Sequence, residues 1–266
     1  MIKLIASDID GTLVPDGTPN IDPEIFDVIR QLQDRGVVFA GASGRQFVSM
    51  KKLFAPVADR MYFITENGPI LRDMHQVYSM AAIDRRMLME MIADAKDLPD
   101  CDIMICGKER AYAETEGRMF RWMRDSYKYD IEAIGSFEDN LDDDIVKMSI
   151  YHAGNRCEEV VKKWFYGKWK DRLNISAAGL MWMDCILPGV DKGSAVRHLQ
   201  QMLGISREET MSFGDNLNDL GLIAAAEESY AIGSARDEVK AAAKHVAPPL
   251  SENGVTQVLK AYLETL

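Results

Sequence analysis

The order of strands and helices along the chain predicts an α/β fold, in which an inserted α+β domain interrupts a Rossmann-like parallel-sheet core. In the first third, and again from Pro188, short apolar runs of strand length alternate with amphipathic helical stretches, as in parallel sheets. Between about residues 82 and 186 this alternation is lost, and methionine, arginine and aromatic residues become frequent. We therefore assign residues 1–81 and 187–266 to the core and residues 82–186 to the inserted domain.

The first third of the chain contains three predicted strands separated by two predicted helices. An apolar run at residues 2–5 is the first strand. The helix that follows begins at Asp22-Pro23, a typical pair for an N-cap and first helical position, and ends at Gly36. A second strand at residues 37–42 leads into a helical stretch to about residue 55. A third strand is predicted at residues 61–65.

The later elements follow from the same signals of apolar runs, caps and glycines. In the inserted domain, strand-like runs lie at residues 145–151, 173–177 and 180–187. In the last third the predicted elements are a helix at 192–203 that stops at Gly204, a capping box from Ser206 to Glu209, strands at 210–213 and 230–232, and a final helix from about residue 254.

Composition limits the compartment and the partners of the protein. With 266 residues and a formal charge of −11, the chain is expected to repel nucleic acids and anionic membranes. It contains no apolar run of the roughly 18 residues that a membrane span needs. The four cysteines form no CxxC pair, so we expect reduced thiols and a cytoplasmic protein. A monomer is compatible with the sequence.

Polar clusters follow four of the predicted strands, and they are where we expect the functional site. They are Asp8-Ile9-Asp10-Gly11-Thr12, Ser43-Gly44-Arg45, Glu66-Asn67-Gly68 and the stretch GDNLND from Gly214. Ligands of open parallel sheets bind at the carboxyl ends of the strands, so Asp8, Asp10, Asp215 and Asp219 should lie near one another. Like charges this close need a cation, and carboxylate oxygens are ligands of Mg²⁺.

Each cluster taken alone also has a structural interpretation. A DxDG stretch is often a surface turn, a glycine after a strand is often just a turn, and GDNLND could cap the next helix. A calcium-binding EF-hand loop starting at Asp8 is excluded, because Leu13 occupies the position that requires glycine. The order of the four clusters and their placement at strand ends favour the functional interpretation.

The chain resembles Cof-type phosphatases of the haloacid dehalogenase (HAD) superfamily. The resemblance rests on DIDGTL at Asp8, Ser43 in ASGR, Lys192 in PGVDKGSA and GDNLND at Gly214, and it covers nearly the whole core. The inserted domain is similar to the large α+β (C2B) cap of that family in size and position. The chain departs from the family at Ser234, where members commonly have asparagine.

The resemblance implies an Mg²⁺-dependent phosphatase of small phosphorylated metabolites, such as sugar phosphates or phosphorylated cofactors. Asp8 would attack phosphorus and form an aspartyl-phosphate, while Asp10 would act as general acid and then as general base. The metal-binding residues implied are Asp8, Asp10 through its backbone carbonyl, Asp215 and Asp219, the last of which also orients Lys192. The phosphate-binding residues implied are Ser43, Gly44, Lys192 and Asn218.

The inserted domain, as a cap, is expected to determine substrate specificity, with Arg118, Arg121 and Trp122 as candidates. The two arginines share a helix face, although the same pattern is typical of a solvated helix, and aromatic residues here could simply pack. Two other functions stay open. A phosphomutase could be built on the same core, and a non-catalytic sensor of phosphorylated ligands would belong to a different class.

Overall fold

A computed structural model of the protein describes residues 1–108 and 110–266, and these form two compact units. Unit 1 comprises Met1–Ser79 and Asp191–Leu266, and unit 2 comprises Met80–Val190.

The strands, in chain order, are β1 (Leu4–Ser7), β2 (Val38–Ala42), β3 (Met61–Thr65), β4 (Ile70–Arg72), β5 (Val77–Met80), β6 (Cys101–Gly107), β7 (Ala111–Ala113), β8 (Ile131–Ala133), β9 (Ile145–His152), β10 (Asn174–Ala177), β11 (Trp182–Ile186), β12 (Thr210–Gly214), β13 (Glu228–Ile232) and β14 (His245–Ala247). The helices are α1 (Glu24–Asp34), α2 (Phe47–Leu53), α3 (Arg85–Lys96), α4 (Arg118–Asp125), α5 (Phe137–Asn140), α6 (Cys157–Trp164), α7 (Tyr166–Trp169), α8 (Lys192–Leu203), α9 (Leu220–Ala224), α10 (Asp237–Ala242) and α11 (Gly254–Leu263).

The sheet of unit 1 has, within the described residues, the strand order β14-β13-β12-β1-β2-β3-β4-β5. The strands from β14 to β3 pair in parallel, whereas β4 runs antiparallel to β3. The central strand β1 therefore lies between β2 and β12, with Leu4 opposite both Val38 and Thr210. This architecture confirms the predicted α/β fold class. It also brings the loops after β1, β2, β3 and β12 to one edge.

Both faces of this sheet are covered by helices, which is why β1 is buried throughout and apolar from Leu4 to Ala6. Ile5 packs on one side with residues of α1 and α11, and Leu4 and Ala6 pack on the other side with residues of α8 and α9. The helix α8 has a capping box at its start, where the Asp191 carboxylate accepts a hydrogen bond from the Ser194 N–H. It ends at Gly204, whose φ of 64° is left-handed. Lys192 is thereby held in the first turn of α8.

Unit 2 contains, within its described residues, a second sheet of order β10-β11-β9-β6-β7-β8. Its strands pair antiparallel, except for β7 with β8. Alternate residues of β9 divide its two faces. Met148 and Ile150 pack with residues of α3, α6 and α7, whereas Tyr151 packs with residues of α4. Lys147 and Ser149 share the face of Tyr151, as the two-residue period of a strand requires.

Most predicted elements occur near their predicted positions, and the differences are mainly strands that the sequence did not predict, among them the seven-residue β6. The helix at 192–203 and the capping box from Ser206 to Glu209 are confirmed. The predicted strand at residues 2–5 is shifted to Leu4–Ser7, and the strands β4 to β8 and β14 were missed. In the described part of the chain, no helix has the length and apolarity that crossing a membrane requires. All four cysteines are free thiols.

Candidate active site

The loop after β1 places Asp8 in the interior of unit 1. Asp8 is buried, and its backbone N–H donates a hydrogen bond to the Phe213 carbonyl at 3.0 Å. The chain then turns at Gly11, where φ is 83° and a β-carbon would overlap the Asp215 carboxylate. Thr12 donates from its hydroxyl to Asp215 Oδ1 at 3.1 Å. The DIDGT stretch is therefore fitted against the loop that follows β12, as a site shared by the two loops requires.

Lys192 is fully enclosed, and its ammonium joins two of the predicted acids. Its Nζ donates to Asp8 Oδ1 at 2.5 Å and to Asp219 Oδ1 at 2.6 Å. The second oxygen of Asp219 accepts hydrogen bonds from the backbone N–H groups of Asp215 (2.9 Å) and Asn216 (3.0 Å). Asp219 thus orients both Lys192 and the GDNLND loop. Since both of its oxygens are engaged, it is better placed to support a metal site than to ligate a metal.

The position of Lys192 depends on close contact between two helices. A β-carbon at the next residue, Gly193, would overlap the backbone carbonyl of Gly221 in α9. Only glycine allows α8 to approach the helix after the GDNLND loop this closely. The lysine is therefore delivered to Asp8 and Asp219 by backbone packing as well as by charge.

Three carboxylates converge on this centre, and their charges perturb one another. Asp8, Asp215 and Asp219 each offer an oxygen within 4.8 Å of the others. Burial, followed by the charge of Asp219, raises the pKa of Asp8 well above its usual range and that of Asp215 to about 6. Burial opposes the positive charge of Lys192, but Asp219 and Asp8 outweigh it and raise the pKa of the lysine.

This donor set fits a divalent cation. Three carboxylates share the centre with Lys192, and the hard oxygen atoms that they present are the ligands that Mg²⁺ prefers. Asp8 and Asp215 are the residues best placed to hold it, because Asp219 is already used by Lys192 and two backbone N–H groups.

Asp10 is directed to a different group of residues. Its carboxylate lies outside the Asp8, Asp215 and Asp219 group and accepts two hydrogen bonds from the Arg45 guanidinium, at 2.6 and 2.8 Å. The Ser43 hydroxyl lies 3.4 Å from Asp10 Oδ2. Sequence reasoning gave no role to Arg45, although it is the last residue of the ASGR motif. The predicted contribution of the Asp10 backbone carbonyl to a metal site stays a prediction.

The loops after β2 and β3 support each other beside this centre. Ser43 is buried, and its carbonyl accepts a hydrogen bond from the Asn67 N–H at 2.9 Å. The Asn67 side chain lies against Gly44 and accepts a hydrogen bond from Asn218 Nδ2 at 3.1 Å. Glu66 and Asn67 have positive φ angles of 57° and 71°, which are uncommon in residues other than glycine. Asn67 thus links three predicted phosphate-binding residues, and the only sequence signal for it was its place after a strand.

The remaining predicted residues belong to unit 2. Arg118 and Arg121 are exposed on α4, and the Arg121 side chain donates to the Glu116 carbonyl at 2.6 Å. Trp122 is half-buried, with ring centroids 5.7–6.0 Å from those of Tyr127, Tyr151 and Trp182.

The loop that contains Ser234, where the sequence departs from the family it resembles, contacts the GDNLND loop through its backbone. Ser234 itself is exposed, and two residues later the Arg236 N–H donates to the Asp215 carbonyl at 3.0 Å. The serine is therefore close in sequence to a contact with the GDNLND loop.

Known proteins share both the sequence pattern and the fold. The haloacid dehalogenase-like hydrolase family matches the chain over residues 5–259. The Escherichia coli protein named 5-amino-6-(5-phospho-D-ribitylamino)uracil phosphatase YbjI is 28% identical over 99% of this chain and 97% of its own length. A Bacillus subtilis protein of the same enzymatic name, YcsE, is 26% identical over 97% of this chain and 95% of its own length. A solved structure from Eubacterium rectale superposes with a TM-score of 0.89 and 39% identity, covering 98% of this chain and 99% of the other.

Proposed function

The chain belongs to the haloacid dehalogenase-like hydrolases, and from this membership we propose that it is an Mg²⁺-dependent phosphatase acting through an aspartyl-phosphate on Asp8. The predicted enzyme class, a phosphoric monoester hydrolase, is confirmed by the family match and by relatives that are named phosphatases. The observation that carries the finer proposal is the buried group of Asp8, Lys192 and Asp219, with Asp215 beside it.

Asp8 is suited to attack phosphorus because its position is fixed, and bound Mg²⁺ would counter the burial and the Asp219 charge that raise its pKa. Its backbone is fixed by the hydrogen bond to the Phe213 carbonyl, and one carboxylate oxygen is held by Lys192. The other oxygen would act as the nucleophile. Mg²⁺ held by Asp8 and Asp215 would neutralise charge and so allow an anionic carboxylate to approach an anionic phosphate.

The phosphoryl oxygens would be held by the surrounding donors. Ser43 offers a buried hydroxyl, Lys192 offers its ammonium, and Asn218 offers an amide. Gly44, packed against Asn67, allows a backbone N–H to come close to the phosphate. Lys192 would therefore serve twice, since it pairs with Asp8 in the free enzyme and stabilises charge on the phosphoryl group during transfer.

Proton transfer would be the task of Asp10. As the bond from phosphorus to the leaving oxygen breaks, the Asp10 carboxyl would give its proton to that oxygen, which departs as an alcohol. The Asp10 carboxylate would next take a proton from the water that hydrolyses the aspartyl-phosphate, and free phosphate and Asp8 are regenerated. Catalysis of this kind contributes typically 10²–10⁴-fold.

Small phosphorylated metabolites are the proposed substrates, with unit 2 providing selectivity. The names of YbjI and YcsE make 5-amino-6-(5-phospho-D-ribitylamino)uracil one compound to include in a substrate panel. Of the predicted selectivity residues, Arg118 and Arg121 are the stronger candidates, since Trp122 is engaged in aromatic packing.

The proposal is tested by phosphate release from sugar phosphates, nucleotides and phosphorylated cofactors, with Mg²⁺ and with a chelator. We expect Mg²⁺-dependent release that is lost in Asp8→Asn, and a phosphorylated Asp8 in trapped wild-type enzyme by mass spectrometry. The matched control is Asp59→Asn, because Asp59 is an exposed aspartate of the same unit. Isomerised sugar phosphate without free phosphate would indicate a mutase instead. Binding of phosphorylated ligands without turnover would indicate a sensor.

A further inference from the structure

The Asp10 carboxylate is held at two points by one side chain, that of Arg45. Arg45 Nη2 lies 2.6 Å from Asp10 Oδ1, and Arg45 Nε lies 2.8 Å from Asp10 Oδ2. The Arg45 side chain is 5% exposed and that of Asp10 is 20% exposed. A bidentate arginine contact fixes the plane of a carboxylate as well as its position. Exposed surface ion pairs impose no such constraint.

Arg45 is itself held by hydrogen bonds of its backbone and of its guanidinium, so it can fix the position of the Asp10 carboxylate. The Arg45 N–H donates to Ser43 Oγ at 3.1 Å, and the Arg45 carbonyl accepts from the Glu66 N–H at 3.2 Å. Arg45 Nη2 also donates to the Thr18 carbonyl at 2.7 Å, and the Gly17 N–H donates to Asp10 Oδ1 at 3.2 Å. The carboxylate is therefore enclosed by the guanidinium and by the backbone of residues 17–18.

The direction of this carboxylate matters for proton transfer. Asp10 Oδ2 is 3.4 Å from the hydroxyl of Ser43, the residue proposed to hold a phosphoryl oxygen. It lies outside the group formed by Asp8, Asp215 and Asp219. Arg45 thus keeps Asp10 on the side of the site where the proposed phosphate contacts lie and apart from the nucleophile.

We infer that Arg45 is a positioning residue, which holds the Asp10 carboxyl where it delivers its proton to the leaving oxygen. The inference rests on the proposed function. Arg45 itself takes no part in the transfer: the proton moves from Asp10 to the oxygen as its bond to phosphorus breaks. Protonation of the leaving oxygen accelerates the reaction strongly for an alkyl alcohol, which leaves poorly as an anion. It is small for 4-nitrophenolate, which leaves without protonation.

The dependence on leaving group gives a test that a purely structural role would not pass. We would measure kcat/KM for the best sugar phosphate and for 4-nitrophenyl phosphate in Arg45→Gln and Arg45→Lys, because this ratio includes only steps up to formation of the phospho-enzyme. Arg45→Gln should lose about 100-fold on the sugar phosphate and less than about 10-fold on the aryl phosphate. Arg45→Lys should fall in between, since a lysine keeps the charge but loses the bidentate geometry. The exposed Lys51, on α2, supplies the control Lys51→Met, which should change neither rate.

Three results would overturn the inference. Equal losses on both substrates would mean that Arg45 maintains the loop and does not position the acid. Full additivity of Arg45→Lys with Asp10→Asn on the sugar phosphate would mean that the two residues act independently. If wild type hydrolyses neither substrate, the proposed function fails and this inference with it, whereas a working wild type isolates the question of Arg45. Should Arg45→Gln not fold, Arg45→Lys carries the comparison.

Discussion

Each unit of the molecule buries a lysine against aspartate, yet the two arrangements differ. In unit 1, Lys192 lies 2.5 Å from Asp8 and 2.6 Å from Asp219. In unit 2, Lys147 lies 3.5 Å from Asp184, which also accepts a hydrogen bond from Ser149 at 2.7 Å. Both lysines are almost completely buried. A buried ion pair is therefore not by itself a sign of catalysis in this protein.

The two buried lysines differ in the number of carboxylates that converge around them. Among residues 1–108 and 110–266, the acids around Lys192 include three whose oxygens approach one another within 4.8 Å, and the Lys147 pair belongs to no such group. The Lys147–Asp184 pair instead lies between neighbouring strands of the unit 2 sheet. Lys147 belongs to β9, and Asp184 in β11 is directly opposite Ser149 in β9. Buried pairs often give little net stability compared with apolar residues, so their arrangement is more informative than their presence. We interpret the centre in unit 1 as catalytic and the pair in unit 2 as structural.

The largest expected effect separates the two lysines by activity. Lys192→Met should lower kcat/KM by at least about 10³-fold, because it removes the proposed donor to the phosphoryl group and leaves buried carboxylates uncompensated. Lys147→Met should lower it by less than about 10-fold in protein that remains folded. Steady-state kinetics of both variants measure this. Equal losses would contradict the division into a catalytic and a structural pair.

The next effect concerns stability in unit 2. Lys147→Met alone should lower the free energy of unfolding by about 3–5 kcal/mol, because it leaves the Asp184 carboxylate buried without its ammonium partner. Adding Asp184→Leu should restore most of this loss, since an apolar pair of similar volume is often neutral or stabilising. Urea unfolding of the two variants measures this. A double variant no more stable than Lys147→Met would mean that an apolar pair of similar volume cannot replace the ion pair at this position.

A smaller effect is expected from pH in the metal-free protein. The native state keeps the Asp215 proton up to about pH 6, whereas the unfolded chain releases it near 3.8, so the native state binds more protons between these values. Stability should therefore fall as pH rises from about 4 to 6, by at most about 3 kcal/mol. Asp215→Asn should remove this part of the pH dependence, and Mg²⁺ should stabilise wild type at pH 7 but not the variant. Identical pH profiles of the two proteins would contradict the raised pKa of Asp215 described for this centre.

The smallest effect concerns the exposed helix face of unit 2. Arg118→Ala and Arg121→Ala should change stability by less than about 0.5 kcal/mol, because both side chains are exposed. If they determine selectivity, KM should rise for the preferred substrate while 4-nitrophenyl phosphate hydrolysis stays constant. Unchanged KM values in both variants would make this a solvated helix face.

The sequence predicted the elements and loops that carry the site because their signals are local. Strand-end clusters, the helix at 192–203 and its glycine stop are read from neighbouring residues. The start of α1 shows how close such a prediction comes. The helix was expected to begin at Pro23 and begins at Glu24, whose N–H is capped by Asp22 at 3.0 Å as predicted.

What the sequence could not supply is which side chains meet across loops. The contacts of Arg45 with Asp10 and of Asn67 with Asn218 join residues from different strand ends, and their geometry depends on rotamers fixed by packing. The short strand β14 was missed because its three residues contain too few apolar positions to show a period.

The division of unit 1 into two sequence segments has a consequence for synthesis of the chain. β1 can pair with β2 early, but its other neighbour, β12, belongs to the second segment. Asp8 and Lys192 are 184 residues apart, so at ribosomal speeds of roughly 5–20 residues per second Asp8 is synthesised roughly 10–40 seconds before Lys192. In that interval β1 presents an unpaired edge, which is a site for wrong pairing between nascent chains. Truncated translation products that stop before β12 should therefore be inactive and prone to aggregate.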